Sequence, residues 1–453
     1  MKRIYLLLSA AILSLCALNL SAAEKEQKAE PKNNFKLYGF IRNYFIFDSR
    51  ESVSGTGDLF YYLPKDVNMK DGIDINDESS FRFVALTSRL GVDVSGYSIG
   101  NVHFGAKIEG DFYSGLSNSS NANVGTYFPS NTKISGTATA RLRQAFATIT
   151  WKELGKDQKN SAALKVGQAW HPMAADHPHL FSLEAGAPFG PFSRTPQVTM
   201  DANLGKNWVV SAAAVWQMQY QSTGPDGSSA IYMKYGCTPE IYAAVAFKTK
   251  DFLFRVGADL VSIKPRNIGE NAAGLDVHVK DRKTSVLGYV YTQYTHKMFS
   301  VKAKTTFGEG GEHMNLMSGY AVVDRTDPIN WKYASMRNSS SWLSLCYGKK
   351  WQGVLFLGYV KNLGLAEGAS NTPLAKSDVY FCSNGFSNIN QMYRINPQVL
   401  YNFGKFTLGL EYQWTAVQYG EYDGGTLNKY ALADKNLHWV GNNRVNMMVK
   451  YTF

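Results

Sequence analysis

The chain has 453 residues, a formal net charge of +11, 13 % aromatic residues and 40 glycines. That length suits two or three soluble domains or one large barrel. A hydrophobic share of only 45 %, spread along the chain, argues against a bundle of apolar transmembrane helices, and four scattered cysteines without a CxxC argue against a disulfide framework or a zinc ribbon.

Residues 1–23 read as a secretory signal, with Lys2 and Arg3 before the apolar stretch Ile4 to Leu20 and a small-residue cleavage site at Ser21-Ala22-Ala23. Leu15 before Cys16 is too bulky for a lipid-attachment signal. Removing the two basic residues takes the charge from +11 to +9 (11 − 2), and export means that no nucleic-acid partner is expected. Cys237, Cys346 and Cys382 remain, an odd number. Residues 24–34, EKEQKAEPKNN, form a charged, solvated periplasmic tail.

From FKLYGFIRNYFIF (35–47) onward the chain keeps one character, about sixteen segments of roughly ten residues that alternate in polarity. Phe252, Phe254, Val256, Ala258 and Leu260 share one face against Arg255 and Asp259. Phe299, Val301 and Ala303 oppose Lys302 and Lys304, and Phe406, Leu408, Leu410, Tyr412 and Trp414 oppose Glu411 and Gln413. The last segment, VNMMVKYTF, sets Val445, Met447, Val449, Tyr451 and Phe453 against Arg444 and Lys450. Soluble sandwiches alternate too, so the connections decide. Short gaps (204–207, 249–251, 296–298, 349–352, 402–405) alternate with long ones (49–80, 114–138, 171–193, 220–239, 265–283, 310–338, 364–391, 418–441), as in outer-membrane barrels. The expected fold is all-β: a transmembrane antiparallel β-barrel of about sixteen strands over residues 35–453, in contact with outer-membrane lipid, with short periplasmic turns, long external loops and both termini in the periplasm. Backbone groups in lipid must pair internally, so the sheet has to close. Trp208, Trp216, Trp414, Tyr412 and Tyr451 are expected on the lipid side. Two residues sit badly: Trp342 on the water face, and Pro397 inside the fourteenth strand.

Four stretches go beyond fold class. SRLGV (88–92), KIEGDFY (107–113), RLRQAFATITW (141–151) and LKVGQAW (164–170) follow one another at strand spacing and resemble the corresponding strands of DcaP-like trimeric porins and related Gram-negative porins. The resemblance covers residues 35–200, and beyond them it rests on strand count. It implies the outer membrane of a Gram-negative bacterium, a homotrimer, and passive passage of small hydrophilic, often anionic solutes. Arg89, Lys107, Arg141, Arg143 and Gln168 fall where that family keeps polar or basic residues. Its members carry a long periplasmic coiled coil before the barrel, in place of which this chain has residues 24–34. The ending at Phe453 resembles the terminal signal by which such barrels reach their assembly machinery.

Sixteen strands can enclose a water-filled channel. A Lys or Arg facing mid-bilayer lipid costs about 2–4 kcal/mol, so the ionic faces are assigned to the lumen. That face carries Arg42, Arg89, Lys107, Arg141, Arg143, Lys165, Arg255, Lys302, Lys304, Arg394, Arg444 and Lys450 against Asp93, Glu109, Asp111, Asp201, Asp259 and Glu411. The basic excess either attracts anions or only solvates the wall by pairing. Arg42, Arg89, Arg141 and Arg143 come from neighbouring strands and are expected in one patch. Loop 171–193 is rich in Leu, Phe and Pro; it is expected to fold into the pore as a constriction bearing Asp176, His177, His179, Phe181 and Glu184, with Asp176 and Glu184 facing the basic wall. Packing over the mouth or at a subunit contact is the alternative. His171, Asp176, His177 and His179 are badly spaced for a metal, and no metal, cofactor or catalytic constellation is expected. Two other functions stay open: a substrate-selective channel for a carboxylate or phosphate, and an adhesin or structural barrel with a filled lumen.

Overall fold

A computed structural model describes residues 32–55, 60–85, 87–114, 139–370, 374–382, 386–422 and 425–453. The signal segment, most of the tail 24–34 and nearly all of the connection 114–138 lie outside the described residues.

Among the described residues sixteen long strands form one closed antiparallel barrel. They are β1 (Asn34–Asp48), β2 in two pieces (Ser80–Val84 and Arg89–Ser95), β3 (Val102–Ser114), β4 (Thr139–Leu154), β5 (Asn160–Trp170), β6 (Arg194–Leu204), β7 (Trp208–Val215) and β8 (Glu240–Lys248). The second half comprises β9 (Phe252–Ile263), β10 (Lys283–His296), β11 (Phe299–Glu309), β12 (Lys332–Gly348), β13 (Trp351–Leu365), β14 (Ile389–Phe403), β15 (Phe406–Glu421) and β16 (Lys435–Thr452). Sequence neighbours pair, and β16 returns to β1 with Phe40 opposite Thr452 and Asp48 opposite Arg444, so no edge remains. At the seam the Phe453 N–H donates to the Gly39 carbonyl at 3.1 Å, and its ring fills the space that a Cβ at position 39 would need, 2.6 Å away.

The alternation read from sequence is the alternation of the wall. Outward positions carry large apolar side chains that stay half exposed, such as Leu90 (51 % exposed), Val256, Leu410 and Met447, with Trp208, Trp216 and Tyr412 among them. A continuous apolar belt of this kind needs hydrocarbon around it. Short turns (155–159, 205–207, 249–251, 297–298, 349–350, 404–405) share the end of the barrel that holds Asn34 and Phe453, and the long connections share the other.

Several expectations change. The connection 49–80 does not stay outside: Phe60, Tyr61, Tyr62 and Leu63 are buried inside the barrel, and Phe60, Tyr62 and Leu63 join one apolar cluster with Met173, Phe181, Phe189 and Phe192 of loop 171–193. Trp342 does face inward, but these loop residues cover it. Phe189 lies flat on Gly358 of β13, where a Cβ would sit 2.5 Å from its ring. β12 starts seven residues early, at Lys332 instead of 339, because its first residues pair with Gly319–Asp324 in a small external sheet that Val379–Phe381 completes. Pro397 points outward where the β14–β15 pairing lapses between Ile395 and Gln398, so its missing N–H leaves no rung unmade there. Cys346 and Cys382 are buried, Cys237 is exposed, and none is in a disulfide.

Candidate functional site

Two irregularities in the wall bring the arginines of the first strands together. β2 breaks between Val84 and Arg89, and there the Arg42 backbone N–H donates to Ser88 Oγ (3.2 Å) and its Nε to Thr87 Oγ1 (2.9 Å). In β4 the register against β3 shifts between Leu142 and Gln144. This bulge turns Arg141 and Arg143 toward the same carboxylate. Gln168, across on β5, donates to the carbonyls of Leu142 and Arg143 that the bulge leaves open.

Arg141 then holds Asp111 with two bonds (3.0 and 2.8 Å), while Arg143 spans Asp111 and Glu109 (2.8 Å each). Such paired contacts fix the planar groups in place. Arg89 lies 3.6 Å from Glu109, which also accepts from Tyr38. Arg194, at the start of β6, stacks over Trp170 at 4.6 Å; it is 3 % exposed, and its Nη1 has no hydrogen-bond partner among the described residues. Strand parity would put it outside, with Val198, but the chain turns in at the barrel rim. Nothing in its sequence context marks it.

These groups line a cavity of about 280 Å³, bounded on the far side by His177, Leu180, Phe181, Leu183 and Phe192 of the loop and by Phe60 and Tyr62. Five guanidiniums (Arg42, Arg89, Arg141, Arg143, Arg194) line it beside one carboxylate, Asp111, and counting Glu109, which pairs with Arg89 and Arg143 behind the lining, leaves an excess of three positive charges (5 − 2). The chamber is therefore basic along one wall and apolar along the other.

The remaining basic residues do other work. Arg255 pairs with Asp176 at 2.5 Å, Lys302 donates to the His177 carbonyl at 3.0 Å, and Lys304 donates to the Met173 carbonyl. Arg394 reaches Glu184 (3.3 Å) and the Tyr62 carbonyl (2.8 Å), and Arg444 grips Asp48 with two 2.8 Å bonds. Arg255, Lys302, Lys304, Arg394 and Arg444 thus latch the inward segments and strand β1 and do not line the cavity. Asp176 and Glu184 likewise turn away from the arginine patch, because the opposite wall offers them partners of their own, Arg255 and the buried Arg394. Lys107 pairs with Asp93 (2.8 Å), Lys165 lies over Phe146, and Lys450 stands across from Arg42 in the β1–β16 register. His179 bonds Ser300 (2.9 Å), and Phe181 stacks on Tyr44, whose hydroxyl donates to the Phe181 carbonyl. His171 is drawn off to Glu240, 2.6 Å away, so the loop histidines do not converge on one point.

Burial, with repulsion from Lys304, Lys302 and Arg194, pushes the His177 imidazole down to about 3, and burial with Lys302 pushes His179 down to about 4. Both values lie below the unfolded one. The stability that the neutral rings contribute is therefore complete above about pH 6.5 and is lost as the pH falls through about 4 and then 3. Open-channel current is expected to be quiet at about pH 7.5 and to fluctuate as the loop loosens near pH 4. His177→Phe, which keeps a ring against Trp170 (4.3 Å) without a titrating group, should reduce that noise. Equal noise in wild type and variant at low pH would remove His177 from the latch.

The barrel has counterparts among solved structures. The outer membrane channel DcaP of Acinetobacter baumannii shares 19 % identity over 95 % of this chain and 100 % of that one, with a TM-score of 0.59. OmpT of Vibrio cholerae shares 12 % over 94 % and 99 %, TM-score 0.49. An anion-selective porin from Comamonas acidovorans shares 10 % over 93 % and 100 %, TM-score 0.49. At 19 % identity the likeness to DcaP shows a shared fold, that of an outer-membrane channel barrel. No family model matches the sequence, and no curated protein matches it.

Proposed function

We propose that this chain is an outer-membrane porin through which small hydrophilic solutes diffuse passively into the periplasm, with a preference for anions. The observation that carries this reading is the chamber between β1–β6 and the inward loop, which five arginines line and only two acids, Asp111 and Glu109, offset. Low-dielectric walls around one sign of charge raise the local concentration of the opposite ion. The loop side of the chamber is mostly aromatic and aliphatic and carries no charge of its own to offset the arginines. Passage then depends on size and charge and needs no energy source or bound cofactor.

Osmotic swelling of liposomes carrying the purified protein tests the reading. Small carboxylates should enter faster than amines of equal mass. Liposomes that fail to swell with any solute would favour a filled, non-transporting barrel.

A second reading, a channel selective for one carboxylate or phosphate, draws support from the small volume of the chamber and from Arg194, whose Nη1 lacks a partner among the described residues. Saturable current and block by that solute would distinguish it. A homotrimer and delivery to the assembly machinery through Phe453 belong to the same proposal. Crosslinking in intact membranes tests the first, and deletion of Phe453 tests the second.

A further inference from the structure

Apart from the arginine chamber, beneath the start of the same loop, lies a cluster that the channel does not use. His171 directly follows β5, Glu240 opens β8, Asp259 lies on β9, and His313 comes from the connection between β11 and β12. All four are at most 2 % exposed. His171 Nε2 is 2.6 Å from Glu240 Oε1, and His313 Nε2 is 3.1 Å from the same oxygen and 3.8 Å from Asp259 Oδ2. One ligand atom each from His171, Glu240 and Asp259 fall within 4.8 Å of one another. Lys283 and Glu312 pair alongside at 3.1 Å.

The charges do not balance. With neutral imidazoles, three carboxylates (Glu240, Asp259, Glu312) and one ammonium (Lys283) leave two negative charges in the protein interior. Both oxygens of Asp259 and Oε2 of Glu240 have no hydrogen-bond partner among the described residues. Burying carboxylates this way is costly unless protons or a cation compensate them. Histidine chemistry narrows the donor set. His171 Nδ1 accepts from the Met173 N–H at 3.1 Å, so its proton sits on Nε2 and points at Glu240. His171 is therefore a donor to Glu240 and not a ligand. The Nε2 lone pair of His313 and the carboxylates of Glu240 and Asp259 converge from three separate elements.

We propose that Glu240, Asp259 and His313 bind one divalent transition cation of the zinc class, with the His171 Nε2–H orienting Glu240. Zinc bonds of about 2.0–2.2 Å to imidazole and carboxylate, in tetrahedral geometry, separate ligand atoms by roughly 3.3–3.6 Å. The 3.1 and 3.8 Å separations from His313 bracket that range. Two positive charges cancel the two negative ones, and carboxylates that ligate metals are themselves held by outer hydrogen bonds, the part that His171 plays for Glu240. The ion joins β8 and β9 to the β11–β12 connection and, through His171, to the start of the inward loop. It acts as a staple and not as a catalyst.

Metal analysis of the intact detergent-purified protein tests this. After chelation and dialysis against zinc, about one equivalent per chain should remain, and the melting temperature should rise with zinc and fall with chelator. Glu240→Gln and Asp259→Asn, close in shape and each removing one buried charge, should each lose the ion. His171→Gln should weaken binding by about tenfold to a hundredfold without abolishing it. X-ray absorption on the zinc form should report a single imidazole among oxygen ligands. Wild-type protein that retains no zinc and melts at the same temperature with zinc and with chelator would overturn the proposal and leave protons as the compensating charge. Retention of zinc by both Glu240→Gln and Asp259→Asn would overturn it as well.

Discussion

Arg394→Ala is expected to release both inward segments at once and to lower stability by about 3–5 kcal/mol, the cost of stranding one member of a buried ion pair. Arg394 is 1 % exposed on β14, reaching Glu184 of loop 171–193 and the carbonyl of Tyr62 in the segment 60–64, with Thr415 Oγ1 holding its Nε at 2.9 Å. Its guanidinium also lies over Tyr61 (4.8 Å) and Phe189 (5.2 Å). Without it, Glu184 keeps Gln413 (2.9 Å) but loses its cation in a site with no access to water. The channel should then show a larger, noisier conductance, and the barrel should unfold at lower temperature. Adding Glu184→Gln to Arg394→Ala removes the stranded charge and should recover most of the lost stability. Unchanged conductance and melting in Arg394→Ala would mean that the segments are held by apolar packing alone.

The second large effect concerns the arginine chamber. Arg194→Gln removes a cation to which no carboxylate is paired among the described residues, so it should weaken anion preference without stranding an acid. The double change Arg141→Ala and Arg143→Ala lowers the excess from three to one (3 − 2) and removes the guanidiniums that hold Asp111 and one of the two near Glu109. At about 4 Å each guanidinium contributes roughly 1 kcal/mol to a solvated anion, and less at 0.1 M salt. The anion-to-cation permeability ratio should therefore fall about fivefold to tenfold in the double variant and by a smaller factor in Arg194→Gln. A ratio that does not move in either would place the constriction elsewhere.

How much of this could be read in advance follows from what periodicity encodes. A period of two determines which side chains share a face, so Arg42, Arg89, Arg141 and Arg143 were assignable to one wall, and the alternation of short and long connections set the count and the closure. Partner choice inside the lumen is a three-dimensional matter. Asp176 and Glu184 are acids on a loop in either case, and only the fold shows that Arg255 and Arg394 reach them first. Arg194 escaped because parity fails in the first residue of a strand that enters at the rim. The first inward segment was legible in principle, since Phe60-Tyr61-Tyr62-Leu63 is as ill suited to a solvated loop tip as Leu180-Phe181. The Glu240–Asp259–His313 cluster was not, because its members are scattered along the chain and share no motif.

Beneath these expectations lies one arrangement: an apolar belt turned to lipid around an inner chamber with more arginines than acids. The reversal potential of the reconstituted wild-type protein across a tenfold salt gradient measures it most directly. A potential on the anion side is the predicted result. One on the cation side, or no open-channel current at all, would contradict it.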